Sequence, residues 1–286
     1  MMGHDMLRRH AVLVLAMPLP LLLSCVAAPP SSEALRLPIT IVRTSPVATI
    51  NVGSQTVQAG IDTGGGAIAL SEDVIRNAGG IKLAEEREWS DAYGQKYRVP
   101  QFKVPVITIG GRAFRDIVVI QSTEVRDLEG PPISNAIGGQ FLSRFVTVID
   151  YVGHSFTLWP SGAESAINAA CGTTRVPMEK TEQFDLAVTA FNTPSGTLRL
   201  LWDTGASYSM LPEALVANRS LETFLRGQTP FYNSTTLSVA GREFGPLEFV
   251  VPPLQLPSDF EGVLGANFFS SHVVCLDYEK REVRIR

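Results

Sequence analysis

The strongest constraint on the fold of this chain is an internal repeat. The tripeptide Asp-Thr-Gly occurs at 62–64 and again at 203–205, each time directly after an apolar run. Aligning the two tripeptides brings two further pairs of similar segments into register: 106–120 with 236–251, and 136–151 with 263–278. Such a repeat predicts two halves of similar structure, which can pack about an approximate two-fold axis.

Each half has the pattern of short β-strands joined by tight turns. The segments 47–62 and 106–120 alternate apolar and polar residues on either side of a glycine-containing turn, as β-hairpins do. Helix-start residues follow each Asp-Thr-Gly, so we predict short helices within 70–79 and 211–225. Hydrophobic residues make up 45% of the chain, which allows a sizeable core. We therefore predict an all-β protein of two lobes with a few short helices.

The N-terminus has the features of an export signal. Arg8 and Arg9 precede the apolar run 11–24, which is too short and too interrupted by proline for a spanning helix. The run ends in Leu-Leu-Ser-Cys, which resembles the lipobox of bacterial lipoproteins and implies that Cys25 is lipidated. The alternative is ordinary cleavage after 26–28. Both interpretations place the mature protein outside the cytoplasm. The first anchors it to the cell envelope, on the periplasmic face of the outer membrane in a Gram-negative bacterium.

These patterns divide the chain into five segments. The two lobes are the longest of them. The segments are a lipoprotein signal peptide with its lipidation cysteine (1–25), a tether (26–34), the N-terminal lobe (35–160), an interlobe connection (161–178) and the C-terminal lobe (179–286).

Several classes of function are disfavoured. The net charge is −4 and no basic run is present, so we expect no nucleic-acid partner. Cys171 and Cys275 lack the spacing of a zinc or redox site, and His154 and His272 stand alone, so we expect neither a metal nor a cofactor. In an oxidising envelope the two cysteines are candidates for a disulfide, although sequence alone does not establish the pairing.

The two aspartates of the repeat suggest a chemistry. Asp62 and Asp203 each lie where an apolar strand ends and glycine lets the backbone turn tightly. A two-fold axis can bring them together, and two carboxylates about 3 Å apart hold one proton between them. The ionised member can take a proton from water while the protonated member donates to a carbonyl oxygen. The pair therefore predicts hydrolysis of peptide bonds without a metal or covalent intermediate.

These motifs resemble those of aspartic peptidases of the pepsin/retropepsin group, in particular the bacterial retropepsin-like proteins. The similarity spans nearly all of the mature chain and includes the Ala-Ile-Gly at 136–138 and the Val-Leu-Gly at 263–265. It implies a bilobal pepsin-like fold and a monomer, because both halves belong to one chain. It also implies six site residues: Asp62 and Asp203 as the catalytic pair, with Thr63, Gly64, Thr204 and Gly205 supporting their loops.

The first half contains extra residues around 87–99 that have no counterpart in the second half. Aromatic residues alternate there, and Tyr93 is followed by Gly94. The segment resembles the flap that closes over substrate in pepsin-like enzymes, which implies substrate contacts by Trp89, Tyr93 and Gly94. The alternative is a structural hairpin that packs its aromatic residues on its own lobe.

The sequence also departs from the pepsin pattern. Pepsins have serine or threonine directly after each Asp-Thr-Gly, whereas this chain has Gly65 and Ala206. Without those hydroxyl donors we expect the carboxyls to titrate at higher pH, and activity to shift towards neutral pH. Asp150 and Asp277 are also repeated, and we expect them to have structural roles at turns.

We therefore expect an aspartic endopeptidase that acts on peptides or proteins and is held at a membrane by its lipid anchor. One alternative is a non-catalytic lipoprotein that grips an extended peptide in a pepsin-like cleft. Another is a structural envelope lipoprotein. Cleavage that is lost in Asp203→Ala while peptide binding survives would distinguish the peptidase from both alternatives.

Overall fold

A computed structural model describes residues 33–90, 94–122, 134–181 and 186–286. Within these ranges the chain consists mostly of β-strands with a few short helices, as the sequence predicts. Among the described residues, no helix combines the length and the apolar character that a bilayer crossing requires.

The first half is built from hairpins that follow one another along the chain. Its strands are β1 (Leu35–Val42), β2 (Ser45–Val52), β3 (Gln55–Asp62), β4 (Ala69–Leu70), β5 (Ile81–Ser90), β6 (Lys96–Ile109), β7 (Arg112–Gln121), β8 (Ala136–Gly138), β9 (Val146–Asp150) and β10 (Ser155–Trp159). Its helices and that of the connection are α1 (Glu72–Asn77), α2 (Gly139–Leu142) and α3 (Glu164–Cys171). The hairpins β2–β3 and β6–β7 are those that the sequence predicts.

The second half repeats this plan with shorter elements. Its strands are β11 (Val176–Pro177), β12 (Val188–Thr193), β13 (Gly196–Trp202), β14 (Thr223–Arg226), β15 (Thr229–Ser234), β16 (Leu237–Val239), β17 (Arg242–Phe244), β18 (Leu247–Val250), β19 (Gly262–Leu264), β20 (Val273–Asp277) and β21 (Glu282–Ile285). Its helices are α4 (Glu213–Asn218) and α5 (Ala266–Phe269). Two small sheets form, in the orders β17-β16-β12-β13-β19 and β14-β15-β18.

A shared sheet joins the two halves. In the order β11-β21-β20-β9-β10-β1, strand β20 of the second half pairs antiparallel with β9 of the first. Val148 and Cys275 occupy equivalent positions in the repeat, and they lie directly opposite each other in this pairing. The approximate two-fold axis therefore passes between these two residues. Ile149 and Val274 are fully buried beside it, so apolar burial stabilises the junction.

The same parallel pairing holds each Asp-Thr-Gly loop in place. In the first half Asp62 pairs with Gly138 at the end of β3 and β8. In the second half Trp202, which precedes Asp203, pairs with Leu264 at the end of β13 and β19. The two apolar-Gly motifs of the repeat thus lie beside the loops that carry the aspartates.

The short helix predicted within 211–225 is present as α4, and the rest of that segment is not helical. The helix α4 ends at Asn218, and Ser220 has a φ of 51° in the left-handed region, which stops helical propagation. The residues that follow form β14, where Phe224 pairs with Phe231. A tertiary contact across a hairpin therefore determines the conformation of a segment whose local pattern favours a helix.

The connection between the halves is tied to the C-terminal strands. A disulfide links Cys171 at the end of α3 to Cys275 in β20, with 6.0 Å between the Cα atoms, so the candidate pairing is confirmed. Arg284 in β21 is buried and donates to Glu164 at the start of α3 over 2.7 Å. The helix is thus held at both of its ends.

Candidate active site

The two threonines of the repeat interlock across the axis. The Thr63 hydroxyl donates to the Trp202 carbonyl over 2.7 Å, and the Thr204 hydroxyl donates to the Ile61 carbonyl over 2.5 Å. Each hydroxyl also accepts from the opposite main chain: Thr204 N–H donates to Thr63 Oγ1 over 3.0 Å, and Thr63 N–H to Thr204 Oγ1 over 3.2 Å. Both side chains are fully buried. The hydrogen bonds that the resemblance implies are present, and they fix one loop against the other.

The carboxyl groups of Asp62 and Asp203 lie next to each other, because a Cβ atom at Gly205 would lie 2.8 Å from Asp62 Oδ1 and 3.1 Å from Asp203 Oδ1. Asp62 Oδ1 accepts from the N–H groups of Gly64 over 3.1 Å and Gly65 over 2.8 Å. Asp203 Oδ1 accepts from the N–H of Gly205 over 2.7 Å. The main-chain donors orient both carboxyl groups towards the same point.

The two glycines of the repeat are required because the loops approach so closely. A Cβ atom at Gly205 would lie 2.8 Å from Asp62 Oδ1, and one at Gly64 would overlap the carboxyl group of Asp203. Real Cβ atoms do not tolerate such contacts. Each glycine therefore leaves the space that the opposite aspartate occupies, which allows the two carboxyl groups to meet.

The similarity of this chain to known proteins is found in its structure and not in its sequence. No family model matches the sequence, and no curated protein matches it. Among solved structures, the aspartic proteinase from Irpex lacteus superposes with a TM-score of 0.62 over 88% of this chain and 97% of that chain, at 12% identity. The fold is that of a pepsin-like aspartic proteinase. At such low identity the similarity establishes the fold alone, and the activity has to be argued from the site.

The environment of the pair in this pepsin-like fold keeps a proton on it. Both residues retain partial solvent exposure, yet protein atoms surround each carboxyl group closely. Burial is the main cause that raises the pKa of Asp62, and the donors Gly65 and Gly64 oppose it. Burial also raises the pKa of Asp203, and the negative charge of Asp62 raises it further. Burial and the charge of one carboxylate on the other therefore keep one proton on the pair.

The positions after the two Asp-Thr-Gly motifs are not equivalent. A Cβ atom at Gly65 would overlap the carboxylate of Asp62, so a side chain there requires the aspartate to move. Ala206 already has a Cβ and is buried against Phe260 and Val263. A serine at 206 therefore needs no new space for its Cβ atom, whereas any side chain at 65 displaces the Asp62 carboxylate.

The extra segment of the first half forms the hairpin β5–β6, with Trp89 opposite Tyr97 in the backbone register. Tyr93 lies outside the described residues. Gly94 has a φ of +80° and lies against the C-terminal half, where a Cβ atom would come within 2.5 Å of Gln255 Oε1. Gly94, just before β6, thus lies against the opposite half. That contact argues against a hairpin that packs only on its own lobe, and substrate contact remains a prediction.

Two residues of the site region were not found from the sequence. Gln255, which lies against Gly94, belongs to a proline-rich loop between the aligned segments of the repeat, where no motif identified it. Tyr151 stacks on Phe269 with ring centroids 5.9 Å apart, and its hydroxyl is buried with no hydrogen-bond partner in the described structure. Burial raises the pKa of Tyr151, and the charge of Asp203 raises it further. The repeated Asp-Tyr at 150–151 and 277–278 was the available signal for Tyr151.

The other repeated aspartates have the structural roles expected of them. Asp150 Oδ1 accepts from the N–H of Gly153 over 2.7 Å, and Asp277 Oδ1 accepts from the N–H of Lys280 over 3.0 Å. Each carboxylate therefore closes the turn that follows its strand.

Two further expectations concern ligands and the anchor. Within the described ranges, no group of three or more histidine, cysteine, aspartate or glutamate side chains is arranged to hold a metal ion. Cys25, the predicted lipidation site, lies outside the described residues. The lipid anchor therefore stays a prediction of the sequence.

Proposed function

We propose that this protein is an aspartic endopeptidase that hydrolyses peptide bonds with water activated between Asp62 and Asp203. One observation carries the proposal: the carboxyl groups of Asp62 and Asp203 lie side by side on the two repeated loops of a pepsin-like fold. Desolvated, paired carboxyl groups of this kind are suited to general acid–base chemistry near neutral pH.

We assign the two roles from the charges of the pair. The negative charge of Asp62, whose carboxylate accepts from Gly64 and Gly65, raises the pKa of Asp203, so we take Asp62 as the ionised member. Ionised Asp62 takes a proton from the water molecule while the water oxygen forms a bond to the peptide carbonyl carbon. Asp203 gives its proton to the carbonyl oxygen, so a tetrahedral diol forms. The protonation of the pair is then reversed, with Asp62 holding the proton.

The second step restores the starting state. Asp62 passes its proton to the amide nitrogen as the carbon–nitrogen bond breaks. One hydroxyl of the diol returns its proton to Asp203, which leaves a carboxylic acid and an amine as products. The buried threonine pair holds the loops fixed throughout, so little reorganisation accompanies the movement of charge.

Cleavage of casein, an unfolded protein, tests the proposal. The products are identified by mass spectrometry for the wild type, Asp62→Asn and Asp203→Asn. Asparagine keeps the size of the side chain but cannot exchange the proton, so we expect each variant to lose at least about 10³-fold in rate. A folded wild type that binds casein without cleaving it would instead support the non-catalytic lipoprotein.

We further propose that the enzyme works in the bacterial envelope, anchored through a lipid on Cys25 and acting as a monomer on peptide or protein substrates. The apolar run and the Leu-Leu-Ser-Cys sequence support this location. In cell fractionation, Cys25→Ser should move the protein out of the membrane fraction. If it stays membrane-bound, the anchor is elsewhere.

A further inference from the structure

A surface of the second half has no role in the chemistry above. We propose that it binds an extended apolar segment of the polypeptide substrate, which adds a strand to the free edge of β14. We call this surface the edge patch; it comprises Tyr208, Phe224, Leu225, Arg226 and Phe231. The inference rests on the proposed function only in taking a polypeptide as the ligand.

Aromatic rings form the face of the edge patch. Phe231 is buried, and Phe224 stacks on it with ring centroids 5.7 Å apart. Tyr208 meets Phe231 edge-on at 6.1 Å, and the Arg226 guanidinium lies 4.7 Å from the centre of the Phe231 ring. Phe224 is 39% exposed and Tyr208 38%, so apolar surface faces solvent at two positions beside Phe231, whereas Leu225, 71% exposed, projects from the other face of the strand. Exposed apolar surface concentrated in this way is typical of a binding surface.

The main chain of β14 supplies the second feature. In the described structure β14 pairs with β15 and lies at the end of the order β14-β15-β18. Leu225 lies opposite Pro230 of β15. Pro230 has no N–H, and its carbonyl accepts from the N–H of Val251 on the side of β15 that faces away from β14. Leu225 and Pro230 are therefore not a hydrogen-bonded pair, so the N–H and C=O of Leu225 point away from β15. By the two-residue period, Thr223 presents its main chain to the same free edge.

An extended peptide fits this edge better than a second copy of the chain does. The edge is four residues long and all four are exposed, whereas a stable protein interface buries about 800 Å² on each partner. Short peptides, in contrast, add single strands to exposed edges through main-chain hydrogen bonds. Free N–H and C=O groups beside exposed rings match an extended segment with large apolar side chains.

The edge patch is continuous with the candidate active site. Tyr208 belongs to the loop that carries Asp203, and the main chain at Tyr208 packs against Gly265 beside the second Asp-Thr-Gly. A polypeptide in the cleft can therefore extend onto Tyr208 and then onto β14. The edge patch favours unfolded apolar chains over short or polar peptides as substrates.

The test measures binding and needs no cleavage. The probe is fluorescein-labelled oxidised insulin B chain, an unfolded apolar peptide, titrated into Asp203→Asn protein by fluorescence anisotropy. In that background we compare Leu225→Pro with Leu225→Ala. Both variants lose the leucine side chain, but only the proline variant also loses the main-chain N–H that points to the free edge. We expect Leu225→Pro to bind about three- to tenfold more weakly than Leu225→Ala. Val152→Ala, at a 72% exposed turn position, should bind as the background does.

Thermal melts and light scattering complete the test. Leu225→Pro and Leu225→Ala should have matching melting temperatures, because position 225 does not contribute to the β14–β15 hydrogen bonds. Equal affinity of the two folded variants overturns the inference, and so does a wild-type dimer that Leu225→Pro converts to a monomer. If the wild type cleaves nothing but proline still weakens binding, the endopeptidase proposal fails and the edge patch stands.

Discussion

At the scale of single residues, the site depends on which groups donate to each carboxylate. Asp62 has two main-chain donors and a glycine that leaves room for it. Asp203 accepts from the N–H of Gly205 and lies beside Ala206, where a side chain is already accommodated. The active form carries one proton, so activity rises as Asp62 ionises and falls as Asp203 does.

Ala206→Ser should move the alkaline limb of the pH–rate profile to lower pH. The added hydroxyl donates to ionised Asp203, and a donor to the charged form lowers the pKa of that carboxyl group. The proton is then lost from the pair at lower pH, while the acidic limb, set by Asp62, stays in place. Profiles of kcat/KM for the wild type and Ala206→Gly, which also lacks a hydroxyl, provide the comparison. An alkaline limb that moves up or not at all contradicts this assignment.

The residue scale was also where the sequence was most informative. The doubled Asp-Thr-Gly predicted which carboxyl groups meet, because a repeat converts sequence positions into symmetry-related ones, and the resemblance to pepsin-like peptidases implied that the two threonines support the loops. It did not predict that Gly65 lies against Asp62 so closely that a serine there would displace the carboxylate. Such a contact depends on side-chain orientation, which no spacing encodes.

At the scale of elements, the hairpin β5–β6 links the two halves through the contact between Gly94 and Gln255. Its existence followed from the unequal lengths of the two halves. Its contact on the far side did not, because the loop that carries Gln255 lies outside the aligned segments of the repeat. The strand β14 was missed for a similar reason, because its pairing with β15 is a contact between segments that the local pattern does not indicate.

Gly94→Ala should lower kcat/KM about tenfold or more. The new methyl group collides with Gln255, and a φ of +80° costs an alanine roughly 1–2 kcal/mol. Adding Gln255→Ala removes the collision but not the backbone strain, so the double variant should recover part of the loss. Steady-state kinetics of both single variants and the double variant test this. Strictly additive losses would show that the two residues do not interact.

At the scale of the whole molecule, the two halves share one sheet around the axis between Val148 and Cys275. That cysteine is also bonded to Cys171, so the covalent link fixes the connection helix onto the strand at the axis. The repeat predicted the two halves and left their junction open. Pairing between β9 and β20 is a contact between equivalent strands, and sequence similarity does not reveal which equivalent strands touch.

Removal of the disulfide should destabilise the protein by about 2–4 kcal/mol, because the bond closes a long loop across the junction, with a sequence separation of 104. For a chain of this size that lowers the melting temperature by roughly 4–16 °C. Calorimetry of Cys171→Ala/Cys275→Ala measures the loss. Dithiothreitol should lower the wild type to the same value and leave the double variant unchanged. If the reductant has no effect on the wild type, the two thiols are not bonded.

The proposed mechanism requires that Asp62 and Asp203 act together as one acid–base pair. Titration calorimetry with a statine-type inhibitor, whose hydroxyl resembles the tetrahedral diol, measures this cooperation. We expect the wild type to bind the inhibitor at least about 100-fold more tightly than either Asp62→Asn or Asp203→Asn. Equal affinity in all three folded proteins, or no binding to the wild type, would contradict it.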